Sequence, residues 1–143
     1  MSTKFSDLFE GTVVGSVATI TDEGKPWSTP LHIAFDDQNA YWLSSPDTVH
    51  SKNIAERPDV SIAIWSRNKN TGLKGAYIQT KARALEGDEA AKGHKIFEET
   101  LGDDVPGAIM NATVYCAPIG EKSTTYSTGG FHYFFSDKAL DIS

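Results

Sequence analysis

The sequence predicts a mostly β protein: a small antiparallel barrel, closed or partly closed, with two inserted helices. Three observations predict it. Runs rich in β-branched and aromatic residues recur along the chain, separated by Asp, Asn, Gly and Pro. Only two longer stretches carry helical spacing. A chain of 143 residues suffices for one core and not for two. Roughly six or seven antiparallel strands in such a chain leave exposed edges unless the sheet curls and closes. One domain over residues 1–143 is expected, because no repeat, low-complexity tract or linker-like shift interrupts the chain.

Each element follows from local chemistry. Residues 4–10 suit a short amphipathic turn carrying Phe5, Leu8 and Phe9, broken by Gly11. Thr12 to Thr21 is dense in Val, Ile and Thr, and Asp22, Glu23 and Gly24 turn it into a second extended run, Pro26 to Phe35. Asp36 to Asn39 turn the chain again into Ala40 to Ser44, which gives an antiparallel meander. Asp47 or Thr48 can then cap a short helix that buries Val49 and Ile54 and stops before Pro58. Val60 to Trp65 alternates Val60, Ile62 and Ile64 against Ser61, Ala63 and Trp65, and pairs with a longer strand from Leu73 to Leu85. A second helix is expected after Gly87 with Asp88 as its cap and Ala90, Phe97 and Leu101 on one stripe, ending at Gly102. Thr113 to Ile119 and a stretch from Ser123 to Phe135, interrupted at Gly129-Gly130, complete the β-rich order.

Composition narrows the function. Nineteen Asp and Glu against thirteen Lys and Arg give a net charge of -6, so the surface repels polyphosphates, and neither nucleic acid nor an anionic membrane is an expected partner. Residues 1–9 lack a basic segment followed by an apolar one, and no apolar run approaches the ~18 residues of a membrane span. Cys116 is the single cysteine, which excludes an internal disulfide and fits a cytoplasmic protein; it reads as a small core residue. His32 and His94 have no partner at metal-ligand spacing, and no metal is expected. No Ser-His-Asp set, phosphate-binding G-x-x-x-x-G-K-[ST] loop or H-E-x-x-H pair is present. The acidic Glu98, Glu99, Asp103 and Asp104 read as a solvated face, and Phe131, Tyr133, Phe134 and Phe135 as core or interface.

The densest polar group is Ser44-Ser45-Pro46-Asp47-Thr48-Val49-His50-Ser51-Lys52-Asn53, where a strand gives way to a helix. Free amides at a helix start carry partial positive charge, and hydroxyls of Ser44, Ser45, Thr48 and Ser51 stand near it with Lys52 and His50. A phosphate monoester suits those donors. Equally, Asp47 and Thr48 simply cap the helix and the remainder is a solvated turn.

The order of these pieces resembles the pyridoxamine 5'-phosphate oxidase-like family of FMN-binding split β-barrels. Four segments carry the likeness: Gly15 to Thr21 with the turn Asp22-Glu23-Gly24-Lys25-Pro26; Ser28-Thr29-Pro30-Leu31; Tyr41 to Asn53 continuing to Arg57-Pro58-Asp59-Val60; and Lys74-Gly75 to Ala82. They span roughly the first 90 residues, with weaker likeness from Val114 to Ser123, and none is as diagnostic as a phosphate-binding loop. The resemblance implies a homodimer with FMN at the subunit interface. It implies that Ser44, Thr48 and His50 fall on the phosphate segment, where the donor reading adds Ser45, Ser51 and Lys52, that Thr29 and Pro30 run along the isoalloxazine, and that Tyr77 stands where relatives often carry Gln. His50 takes a place where Lys is usual, and Asn53 matches a recurrent Asn. Members that oxidise pyridoxamine phosphate close with an Arg- and His-bearing segment, whereas this chain has no Arg beyond Arg83. The resemblance therefore implies an FMN-dependent oxidoreductase acting on another small molecule with its own electron donor. A flavin carrier or sensor, or a barrel adapted to haem or a deazaflavin, stands as the alternative.

Overall fold

The computed structural model describes residues 13–68, 72–101, 112–120 and 130–136. In chain order they form β1 (Val13–Ile20), β2 (Pro26–Phe35), β3 (Asn39–Ser44), α1 (Val49–Glu56), β4 (Asp59–Asn68), β5 (Gly72–Lys81), β6 (Arg83–Ala84), α2 (Gly87–Leu101), β7 (Thr113–Pro118) and β8 (Gly130–Ser136). The expected turn at residues 4–10 and the chain from Ser123 to Gly129 lie outside the described residues.

All strand pairings among the described residues are antiparallel, and the strands run in the order β6-β7-β3-β2-β1-β4-β5-β8. The two-residue β6 continues β5 through Ala82, whose amide donates to the Pro58 carbonyl at 2.9 Å. One end of the strand order is thus tied by chain to the seventh strand in it, and the sheet curls into a split β-barrel. The single long strand expected from Leu73 to Leu85 is in fact two pieces in two sheets, bent at Ala82.

Two apolar clusters hold this shape. The barrel interior is filled by Val17, Ile33, Trp42, Ile62, Ile64 and Ile78 with their neighbours, and Trp42 stacks on Tyr115 with ring centroids 6.1 Å apart. The second cluster lies outside the barrel, where α2 covers β3 and β7. Phe97, 1% exposed, packs there with Ala34, Tyr41, Leu43, Leu85, Val114 and Cys116. Helix and sheet approach so closely that a Cβ on Gly93 would lie 2.9 Å from Val114 Cγ1 and 3.0 Å from Tyr41 Cδ1. Strand β3 serves both clusters: Ala40 and Trp42 face the interior, and Tyr41 and Leu43 face α2. Asp88 is not the cap of α2, since the helix begins at Gly87 and Asp88 and Glu89 occupy its first turn, where carboxylates favour the helix dipole.

The opposite outer face, formed by β2, β1, β4 and β5, has no helix over it among the described residues. It exposes Val14, Trp65 and Tyr77 amid small residues such as Ser16, Ala18 and Ala63.

Candidate functional site

The hairpin meander sets up the site by stopping short. Strand β2 pairs with β1 from Pro26 to Ile33 but with β3 only at Ala34 and Phe35. Continuing that register would bring Leu31 opposite Ser44, yet the strands have parted there. Between Pro26 and Ile33 the second edge of β2 therefore has no strand partner among the described residues. An opening is left with this edge on one side and the end of β3 and start of α1 on the other. Prolines at positions 26 and 30 suit such an edge, because each lacks the N–H a ladder would need.

On the α1 side, Thr48 is the N-cap: its hydroxyl accepts from the Ser51 amide at 3.3 Å and lies 2.7 Å from the Ser51 hydroxyl. His50 Nε2 lies 2.8 Å from Ser44 Oγ and 3.3 Å from Thr48 Oγ1. Ser44, His50 and Ser51 are all buried, and burial lowers the pKa of His50 below the usual histidine range. His50 is therefore the neutral form at pH 7 and supplies hydrogen bonds rather than charge. The amides of Val49 and His50, at the first two positions of α1, have no acceptor among the described residues.

The residues singled out from sequence separate into three places. Ser44, Thr48, His50 and Ser51 come together as one hydrogen-bonded knot, with Ser45 exposed beside it accepting from the Asp47 amide at 3.2 Å. Lys52 stands on the exposed face of α1, away from His50, and makes no ion pair among the described residues. Pro30 and Tyr77 share a row across the bare outer face, in register through Ser16 and Ala63, roughly 14 Å apart at ~4.8 Å per strand. Thr29 points the other way, with Val17, and its Oγ1 is enclosed without a hydrogen-bond partner.

Helix α1 differs from expectation in what it buries. Ile54 joins the barrel interior, but Val49 is 45% exposed, and the helix is instead anchored by polar contacts. Asn53 Nδ2 donates to Thr19 Oγ1 at 3.0 Å, and Arg57, just past the helix, donates from Nε to the Ile20 carbonyl at 2.9 Å and pairs with Asp22 at 2.6 Å. These contacts set α1 over the end of β1. Trp27 was missed as a site residue. Alternation puts it on the inward face with Thr29, but it falls at the mouth of the barrel and remains 44% exposed.

Elsewhere, Cys116 is buried and burial raises its thiol pKa, which disfavours the thiolate. His94 sits 3.4 Å from Glu98, and His32 is exposed on β2. Among the described residues no three His, Cys, Asp or Glu gather as a metal site, and no helix is long and apolar enough to cross a membrane.

Known structures share this fold. A haem-binding protein from Mycobacterium smegmatis aligns with a TM-score of 0.65 and 23% identity over 75% of this chain and 46% of its own, so this chain spans about half its length. An FAD-binding protein from Mesorhizobium loti aligns at 0.63 and 19% over 74% and 78% of the two chains. An F420 reductase aligns at 0.62 and 16% over 82% and 94%. At these identities the likeness establishes the fold alone, and the three named ligands differ. No curated protein matches the sequence. The model of the family described as pyridoxamine 5'-phosphate oxidase does match, over residues 1–114, which is most of the chain and contains β1 through β6, both helices and the opening beside β2. The chain thus belongs to the pyridoxamine 5'-phosphate oxidase family.

Proposed function

We propose that this protein binds FMN as a homodimer and acts as a flavin-dependent oxidoreductase on a small molecule. The observation that carries the reading is the opening between the unpaired edge of β2 and the start of α1. An unpaired strand edge offers backbone donors and acceptors to a planar heterocycle, and the two free amides of α1 offer a place for a phosphate. The residues present fit the group in part. Ser45, Thr48, Lys52 and the Val49 and His50 amides would hold the phosphate. Ser44, His50 and Ser51, spent on one another, would fix the Thr48 hydroxyl in place. Thr29 and Pro30 would present β2 backbone to the ring, and Tyr77 would reach it from the outer face. When bound, the flavin supplies the electron or hydride chemistry, while the protein binds and orients it and excludes water. The bare face carrying Trp65 and Tyr77 would be the dimer contact, since a barrel interior packed with Ile and Trp has no room for a flavin.

The test is a comparison of FMN with riboflavin by flavin fluorescence quenching on the purified full chain. Losing two charge-assisted hydrogen bonds weakens riboflavin roughly a hundredfold or more. Lys52→Ala should release FMN at moderate salt while the chain stays folded. Equal affinity for both flavins would reject the phosphate site, and an absorption spectrum of haem or of a deazaflavin in the protein as purified would replace FMN with that ligand.

A further inference from the structure

A cleft of ≈ 850 Å³, bordered by Pro26 and Trp27 of β2 and by Val49 at the start of α1, runs between the β1–β2 turn and the exposed face of α1. Of the residues assigned above to the cofactor, Val49 and Lys52 line it. Its volume lies within the roughly 300–1,000 Å³ range of small-molecule sites.

Its lining is chemically specific. Trp27 and Val49, 44% and 45% exposed, give it an apolar wall. Lys52, Asn53 and Glu56 stand on one face of α1 by their spacing. Lys52 and Glu56 make no ion pair among the described residues, although they are a turn apart and opposite in sign. Asn53 is 6% exposed; its Nδ2 is committed to Thr19, while its Oδ1 has no hydrogen-bond partner among the described residues. Asn53 therefore brings a nearly buried side chain with an uncommitted amide oxygen to the lining of the cleft. The other charges there are already answered: Lys25 by Glu23 at 3.5 Å, and Asp22 by Arg57 at 2.6 Å.

We propose that this cleft binds a small zwitterion with an aromatic side group, of the class of a free aromatic amino acid. Lys52 takes the carboxylate, Glu56 and the Asn53 Oδ1 take the ammonium, and the aromatic group lies against Trp27 and Val49. Charge decides between ligand classes. With the Lys25–Glu23 and Asp22–Arg57 pairs neutralised, one free cation and one free anion remain, which suits a ligand carrying one of each. A nucleotide would bring at least one uncompensated negative charge beside Glu56. Trp27 adds a face for the ring and an attractive quadrupole for the ammonium.

The experiment follows the indole N–H signal of Trp27, assigned with Trp27→Phe, in ¹⁵N-labelled full-length protein titrated with L-phenylalanine. Phenethylamine lacks the carboxylate, 3-phenylpropionate lacks the ammonium, and AMP represents the nucleotide class. Saturable binding of phenylalanine is expected, with each monofunctional analogue and the Glu56→Gln variant weaker by about tenfold, one charge-assisted contact being lost in each case. Glu56 lies outside the cofactor assignment, so bound flavin should be unchanged in that variant, whereas Lys52 is shared with the proposed phosphate site, so phenylalanine should bind more weakly when FMN is present. No saturable shift with phenylalanine, equal shifts with all three phenyl compounds, an unweakened Glu56→Gln, or tighter binding of AMP would each overturn the proposal.

Discussion

The two halves of the barrel's outer surface are built from similar strands and treated oppositely. Over β3 and β7 the outward residues Tyr41, Leu43, Val114 and Cys116 are buried beneath α2, with Phe97 at the centre. Over β1, β4 and β5 the outward residues are Ser16, Ala18, Ala63, Trp65 and Tyr77, and no described helix covers them. The sequences differ accordingly. Strand β3 is apolar on successive residues, and all five from Ala40 to Ser44 are buried, whereas β4 alternates strictly between buried and more exposed positions from Val60 to Trp65. A strand's pattern therefore records whether its outer face is closed within the chain or left for something else.

The largest effect belongs to the covered half. Phe97→Ala removes the centre of the α2 contact and should cost about 3–5 kcal/mol in urea unfolding. A loss under ~1 kcal/mol would mean that α2 is not what holds this face. Second is an alkaline dependence. Burial pushes the Tyr41 pKa from 10.0 up to about 12, with Asp36 nearby adding to the shift. The protonated phenol is thus favoured in the fold, and its stabilisation is present below pH 10 and lost as pH rises through about 12. On the order of 2 kcal/mol should disappear over that window. Tyr41→Phe should flatten the curve, and an unchanged slope would assign it to other groups. Smallest in stability is the bare half. Trp65→Glu should alter urea stability of the isolated barrel by less than ~0.5 kcal/mol. It should nevertheless convert the proposed dimer into a species of 15.5 kDa by light scattering. A wild-type protein already of that mass would break the contrast, since the bare face would then need no cover.

Much of this was legible in the chain, because alternation and turn residues are local. The bounds of β2 fall at Pro26 and Phe35 as expected, since an Asp-Glu-Gly turn precedes it and Asp36 follows, accepting from the Gln38 and Asn39 amides at 2.8 and 2.7 Å. What depends on three-dimensional placement was not legible. Nothing local at Lys81-Ala82-Arg83 announces that the chain leaves β4 there to pair with β7, and the contact that holds Ala82 comes from the Pro58 carbonyl of another segment. Val49 looks like a core residue of α1, but an eight-residue helix has one buried face, and Asn53 bonding to Thr19 chose it. The polar cluster from Ser44 to Lys52 was visible as a group. The division that leaves His50 inside and Lys52 outside follows from the same choice of face. The cleft lined by Trp27 was invisible, because period-two alternation says which side a residue takes and not where the barrel ends.

The position of β3 also sets a clock. Its residues from Ala40 to Ser44 are enclosed on both faces, by the barrel interior and by α2, and it pairs with β7 along its whole length and with β2 at Ala40 and Tyr41. A local opening of the outer helix frees only one side of it, and a local opening of the barrel only the other. Its amides bonded to β7 should therefore exchange with deuterium among the last of the described residues, at the rate of global unfolding, and well after those of the β1–β2 turn. Ser44, the last residue of this slow strand, is also hydrogen-bonded to His50, so the start of α1 is tied to the longest-lived part of the protein even though it borders an opening.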